Sequence, residues 1–176
     1  MSSRRDTFAL TSAEGLLAGA IAGLVMTVFM MLWDGLTGDG IWTMPQLIAT
    51  IVLGPGAYEA GTHFLAGPVL TGFALHELTS AAMGLFFVML LRLLKMNNFA
   101  LGGALVYGLV SGVVAEWWLI PILSETMARH TEPVQLLAGH AIFGLALGTA
   151  YIWMADRAGP STLRKNEGDH YEEQTN

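Results

Sequence analysis

Four stretches of the chain are apolar for long enough to cross a bilayer, and the charged residues fall almost wholly between them. Gly15 to Trp33 carries no formal charge over 19 residues, and Val134 to Met154 carries none over 21, with one histidine, His140. Val69 to Leu91 is interrupted by His76 and Glu77, and Phe99 to Ile122 by Glu116. A hydrocarbon core about 30 Å thick needs about 20 residues of helix. Lipid offers backbone N–H and C=O groups no partner, so continuous apolar runs of this length must be helical. Barrel strands would be half as long and would alternate at every residue. The pattern therefore predicts an all-α fold, a polytopic membrane four-helix bundle, with spans at about 15–33, 69–91, 99–122 and 134–154 in a single transmembrane domain, 1–158. The first run is longer than a signal-peptide core and no small-x-small site follows it, so it is expected to stay as a span.

The connection from Asp34 to Pro68 is long for a small bundle. It holds a short apolar run, about 44–53, followed by Gly54-Pro55-Gly56. That run is too short to span and predicts a helix lying in the interface or capping the bundle, ended by the Gly-Pro-Gly turn. Residues 159–176 are polar and without apolar periodicity, which predicts a disordered cytoplasmic tail.

Small residues recur at every fourth position in each span. Gly15, Gly19, Gly23 and Thr27 line span one; Gly72, His76, Ser80 and Gly84 line span two. Ala104, Gly108, Gly112 and Glu116 line span three; His140, Gly144 and Gly148 line span four. Such stripes let helix backbones approach closely in lipid. The bundle is thus expected to be built from two repeated helical hairpins, related by an axis along the membrane normal. Gly19, Gly23, Gly72, Gly84, Gly108, Gly112, Gly144 and Gly148 are the expected packing positions.

Composition narrows the class. Hydrophobic residues make up 53% and charged residues 12%, about half the charged share of an ordinary soluble domain. There is no cysteine, which excludes a disulfide scaffold and a thiolate metal site. The net charge of −6 argues against nucleic acid as a partner and leaves the lipid bilayer. Seven of the eight Lys and Arg fall on one side if both termini share it, the other side receiving only Arg129. By the positive-inside rule the chain is expected in a prokaryotic inner membrane with both termini cytoplasmic. The outer connections then carry Asp34, Asp39, Glu59, Glu125 and Glu132, and Trp33, Trp42, Trp117 and Trp118 fall near the outer interface. Asp34 reads as a water-facing end cap.

Counting from the span ends, Thr27, His76, Glu116 and His140 each lie about 9–10 Å inside the outer edge. An ionisable group at that depth turns toward the bundle interior or a wet cavity. No Lys or Arg lies within a span to pair with Glu116. Glu77, one residue from His76, is about 100° around the helix and is expected to reach outer water or a neighbouring helix, while Ser80 shares the stripe. His76, His140 and Glu116 are the candidate ligand or metal residues, with Thr27, Glu77 and Ser80 as a supporting polar layer. Two imidazoles could hold haem b, with glycines making room for the macrocycle. With Glu116 they would make a two-histidine, one-carboxylate set for a divalent metal ion. The competing reading has the polar groups bonding to one another to fix helix register, in a non-catalytic structural or accessory subunit of a larger membrane complex. In a third, the chain conducts protons or cations as a homo-oligomer. The methionines read as core filler. His63 and His130 lie in outer connections, and no catalytic motif such as a phosphate loop or H-E-x-x-H occurs, so no catalytic residue is assigned.

The runs Gly15 to Thr27 and His140 to Gly148 resemble those of small uncharacterised four-helix prokaryotic membrane proteins, classed as domains of unknown function. The resemblance covers about residues 13 to 155 and implies the architecture alone. The paired histidines and glycine stripes are similar in arrangement to the di-histidine haem-binding four-helix bundle of cytochrome b proteins. That family has two histidine pairs where this chain offers one.

Overall fold

The computed structural model describes residues 12–59, 63–94 and 99–158. The tail expected over 159–176 lies outside the described residues, as do Arg4, Arg5 and Lys95. Seven α-helices follow one another among the described residues: α1 (Ser12–Thr37), α2 (Thr43–Leu53), α3 (Ala66–Leu94), α4 (Ala100–Val114), α5 (Ile120–Leu123), α6 (Glu125–His130) and α7 (Pro133–Ala158), with no strand. The third span is α4 and α5 joined by a π-helical turn at Ala115–Leu119. Pro121 explains the turn: its ring cannot sit against the carbonyl of Trp117 and it has no N–H to donate, so the helix widens just before it.

Four helices, of 26, 29, 24 and 25 residues, are long and apolar enough to cross a membrane. At 1.5 Å per residue they run about 36–44 Å, longer than the hydrocarbon core, so they tilt or project beyond it. No more than 44% of any span's apolar window is buried within the chain. Leu24, Val28, Leu70, Leu78 and Val106 point outward, as expected of side chains that meet lipid.

The packing order around the bundle is α3, α1, α7, α4. In lipid the hydrophobic effect does not drive helices together, so contact depends on backbones coming close. α1 crosses α3 where Gly19 lies on Gly84, and α4 crosses α7 where Gly108 lies on Gly144. A methyl on Gly19 would run into the carbonyl of Ser80, and one on Gly108 into the carbonyl of His140. α7 then packs across α1, where Gly139 receives the side chains of Met26 and Met30. By contrast α3 and α4, consecutive in the chain, scarcely touch. Tyr107 links them: its hydroxyl donates to the Met83 carbonyl at 3.1 Å and its ring lies against Phe86 and Phe87.

α2 packs against the bundle. It is wedged against α3, with the Pro45 carbonyl seated on Gly72, and buries Met44, Gln46 and Leu47. It ends at Gly54, whose φ of +79° is a conformation side-chain-bearing residues rarely adopt.

Gly84→Ala and Gly144→Ala are expected to cost about 1–3 kcal/mol each, because the obstructing atoms are backbone and cannot yield. Gly102→Ala, where a methyl meets nothing within 4 Å, should change stability by less than about 1 kcal/mol. Thermal unfolding in detergent reads all three.

Candidate functional site

The end of the bundle away from the termini is organised by a buried carboxylate. Asp34, in the last turn of α1, is only 2% exposed. Its Oδ2 accepts from the Met44 backbone N–H at 3.2 Å and its Oδ1 from the Gln135 side-chain amide at 2.5 Å. A carboxylate at the start of α2 satisfies a donor that has no intrahelical partner and faces the positive end of the helix dipole. It does the capping that Trp42, at the N-cap position, does not. Asp34 is therefore a buried clamp tying α1, α2 and α7 together, not the water-facing cap expected from its place after Trp33.

Two further contacts hold α2 down. Gln46 is fully buried; its amide donates to the His63 carbonyl at 2.7 Å and its oxygen accepts from the Glu59 N–H at 3.2 Å. Thr50 and Ser124 share a hydroxyl hydrogen bond at 2.6 Å, and Ser124 also caps α6 by accepting from the Met127 N–H. At this rim Tyr58 lies against the His130 ring, with centroids 4.8 Å apart. Burial pushes the Tyr58 phenol above its ordinary range, and the nearby Asp39 and Asp34 add to that.

Beneath α2 lies a cavity of about 240 Å³. α1, α2, α3, the third span, α6 and α7 all contribute to its wall, which includes His76, His140, Thr27 and Ser80. The two imidazoles, from α3 and α7, thus border one space. Each is anchored on a main-chain carbonyl: His76 Nε2 donates to Gly23 O at 3.3 Å, and His140 Nδ1 donates to Leu136 O at 3.0 Å. A helix carbonyl can only accept, so these bonds fix which nitrogen carries the proton. Gly112 makes room for the His140 ring, since a methyl there would sit 2.8 Å from the His140 Cβ and 2.9 Å from Cγ.

The carboxylates go elsewhere. Glu77 turns to α1, with one oxygen 3.1 Å from where a Cβ on Gly23 would stand, so Glu77 and His76 both reach Gly23. Glu116 sits in the π turn; Ala115, not Glu116, borders the cavity. Glu77 Oε1 and Glu116 Oε2 are each enclosed with no hydrogen-bond partner among the described residues. Among those residues no three His, Asp or Glu come together in a way that could hold a metal ion. The set of two histidines with Glu116 is not assembled. The glycines are not room for a macrocycle either, since Gly19 and Gly84, and Gly108 and Gly144, are filled by each other's helices.

The two histidines stand differently to the glycine crossings of their helices. Measured from its own glycine crossing, His140 lies four residues before Gly144, whereas His76 lies eight before Gly84. Ser80 occupies on α3 the place that His140 occupies on α7: the main chain of one lies on Gly19, that of the other on Gly108.

The residues that sequence reasoning missed are Asp34, Gln46 and Gln135. Asp34 was accessible in principle, because it stands seven residues, two helical turns, beyond Thr27 and so on the same face. Gln46 and Gln135 leave no such trace. No family model, no curated protein and no solved structure matches this chain.

Asp34→Leu strands both the Met44 N–H and the Gln135 amide and is expected to cost about 2–4 kcal/mol, with Asp34→Asn losing less because one acceptor survives. The Asp34→Leu/Gln135→Leu pair should cost less than the sum of its single changes. Chemical unfolding in detergent measures this cycle.

Proposed function

We propose that this chain is a multi-pass protein of a prokaryotic inner membrane, with both termini cytoplasmic, that binds a small ligand in the cavity bordered by His76 and His140. It is a binding or carrier module and not a catalyst. The observation that carries this reading is the pair of histidines on one cavity, each with one ring nitrogen anchored and the other without a hydrogen-bond partner among the described residues. Groups that serve only to fix helix register would bond to each other across the interface. These two do not bond to each other: His76 reaches the Gly23 carbonyl on α1, His140 the Leu136 carbonyl on its own helix, and each ring has a second nitrogen with no hydrogen-bond partner among the described residues.

The arrangement of basic residues supports the orientation, and the cavity then falls in the outer half of the membrane. The matched crossings, Gly19 on Gly84 and Gly108 on Gly144, support two copies of one helical hairpin. On that register the copies differ at the site: His140 corresponds to Ser80, and His76 to Leu136. The pocket is an asymmetric elaboration of a symmetric frame.

Native mass spectrometry of the full chain, released from membranes into mild detergent, should record a retained molecule or ion on the wild type. The His76→Leu/His140→Leu variant should lack it while unfolding within about 1–2 kcal/mol of wild type, since a single neutral hydrogen bond is lost at each site. The same empty mass for both proteins would overturn the proposal.

A further inference from the structure

Methionine is concentrated at this cavity. Six of its 23 lining residues are methionine, in a chain where methionine makes up 10 of 176. Met26, Met30 and Met31 come from α1, Met44 from α2, Met83 from α3 and Met127 from α6. No local spacing in the sequence announces this, because the six are spread over four helices. Core filling alone does not ask for it, since leucine fills space of similar volume with a better defined rotamer.

We infer that the cavity is a site for a soft monovalent metal ion, copper(I) in chemical class, held by imidazole nitrogen and thioether sulfur. This deepens the ligand-binding reading above and rests on it. Three observations converge. First, thioether sulfur is a soft donor that selects copper(I) over harder ions. Second, the histidines are set as metal-binding histidines are, with one ring N–H given to a main-chain carbonyl and the other nitrogen left as a lone pair. The carbonyls of Gly23 and Leu136 thus hold both rings in the tautomer that presents an unprotonated nitrogen.

Third, the wall carries no formal charge: no Asp, Glu, Lys or Arg borders the cavity. Moving an ion into an apolar interior costs in proportion to the square of its charge. With neutral donors only, a divalent ion such as zinc pays about four times the penalty of a monovalent one and finds no carboxylate to offset it. Magnesium, calcium and manganese favour carboxylate oxygen, and the wall offers only the hydroxyls of Thr27, Thr79 and Ser80. The carboxylates that would have suited those ions, Glu77 and Glu116, lie off the wall.

The test uses the full chain in mild detergent under anaerobic conditions, titrated with copper(I) against a chromogenic copper(I) chelator, and separately with silver(I). One ion should bind per chain, with zinc bound at least about 100-fold more weakly. His76→Leu/His140→Leu should lower copper(I) affinity by at least about 100-fold. Met44→Leu/Met127→Leu keeps the side-chain volume close to that of the wild type and leaves the Met26 and Met30 contact with Gly139 intact; it should lower the affinity by about 10-fold or more in a protein that still unfolds cooperatively. X-ray absorption at the copper edge should show both nitrogen and sulfur neighbours in the wild type and fewer sulfur neighbours in the methionine variant.

Zinc binding as tightly as copper(I), or methionine variants that bind copper(I) as well as the wild type, would overturn the soft-metal assignment. So would an absence of any metal binding. If the wild type, but not the histidine variant, still retains an organic molecule by native mass spectrometry, the metal assignment falls and the ligand-binding reading stands. If it retains neither, both fall.

Discussion

The structure depends on two places where helix backbones touch. At Gly19 on Gly84 and at Gly108 on Gly144 nothing but hydrogen separates the main chains. In a bilayer, whose tails are as apolar as leucine, such close approaches would hold the pairs together without help from water exclusion. Helices that meet at a crossing diverge away from it. Gly19 and Gly84 lie toward the Ser12 end of α1 and the Leu94 end of α3, Gly108 lies toward the Ala100 end of the third span, and Gly144 lies near the middle of α7; beyond the crossings the helices diverge, which leaves room there. The cavity is that room, and α2 is the piece of chain that closes it.

Closing a membrane bundle with a folded-back helix has an electrostatic difficulty. Its first N–H groups have no helical partners, and neither does the chain that leads in and out. Asp34, Gln46 and Gln135 answer this in place. One carboxylate takes the Met44 N–H and the Gln135 amide, while Gln46 binds both His63 and Glu59. With α2 seated, Pro45 rests on Gly72 and Thr50 on Ser124, so the roof joins α3 to α6. The clamp does not touch a ligand, yet it sets the walls between which one would be held.

The spans and the glycine stripes were legible in the sequence because both are local: an apolar run has a length, and Gly19, Gly23, Gly108 and Gly112 recur with the helical period. The short helix before Gly54 was legible for the same reason. The burial of Asp34 was not, since its meaning depends on Gln135, about a hundred positions away. The gathering of six methionines was equally hidden, each being an ordinary residue on its own helix. Glu116 misled for a definable reason. It continues the stripe of Gly108 and Gly112 on paper, but Pro121 forces a π turn at Ala115–Leu119, and the face presented to the cavity becomes that of Ala115 and Leu119. His76 and His140 were paired by their like count from the ends of their spans. The crossings use Gly84 and Gly144, which shifts the match by one turn.

That one-turn shift bears on how such a site could arise. On the two-hairpin frame proposed above, groups placed at equivalent positions would face the axis as a symmetric pair, each opposite its own copy. Here Ser80 stands where symmetry would set a second His140, and Leu136 where it would set a second His76. The two imidazoles therefore approach the space from inequivalent positions and find different anchors, the Gly23 carbonyl across the α1–α3 interface and the Leu136 carbonyl on the ring's own helix. One ring is held by Nε2 and the other by Nδ1, so the nitrogens left over differ as well. A symmetric pair of rings would offer two like donors at one depth, suited to the two faces of a flat macrocycle. A pair with unlike free nitrogens suits a compact guest held from two sides, and the glycine crossings are already filled by backbone.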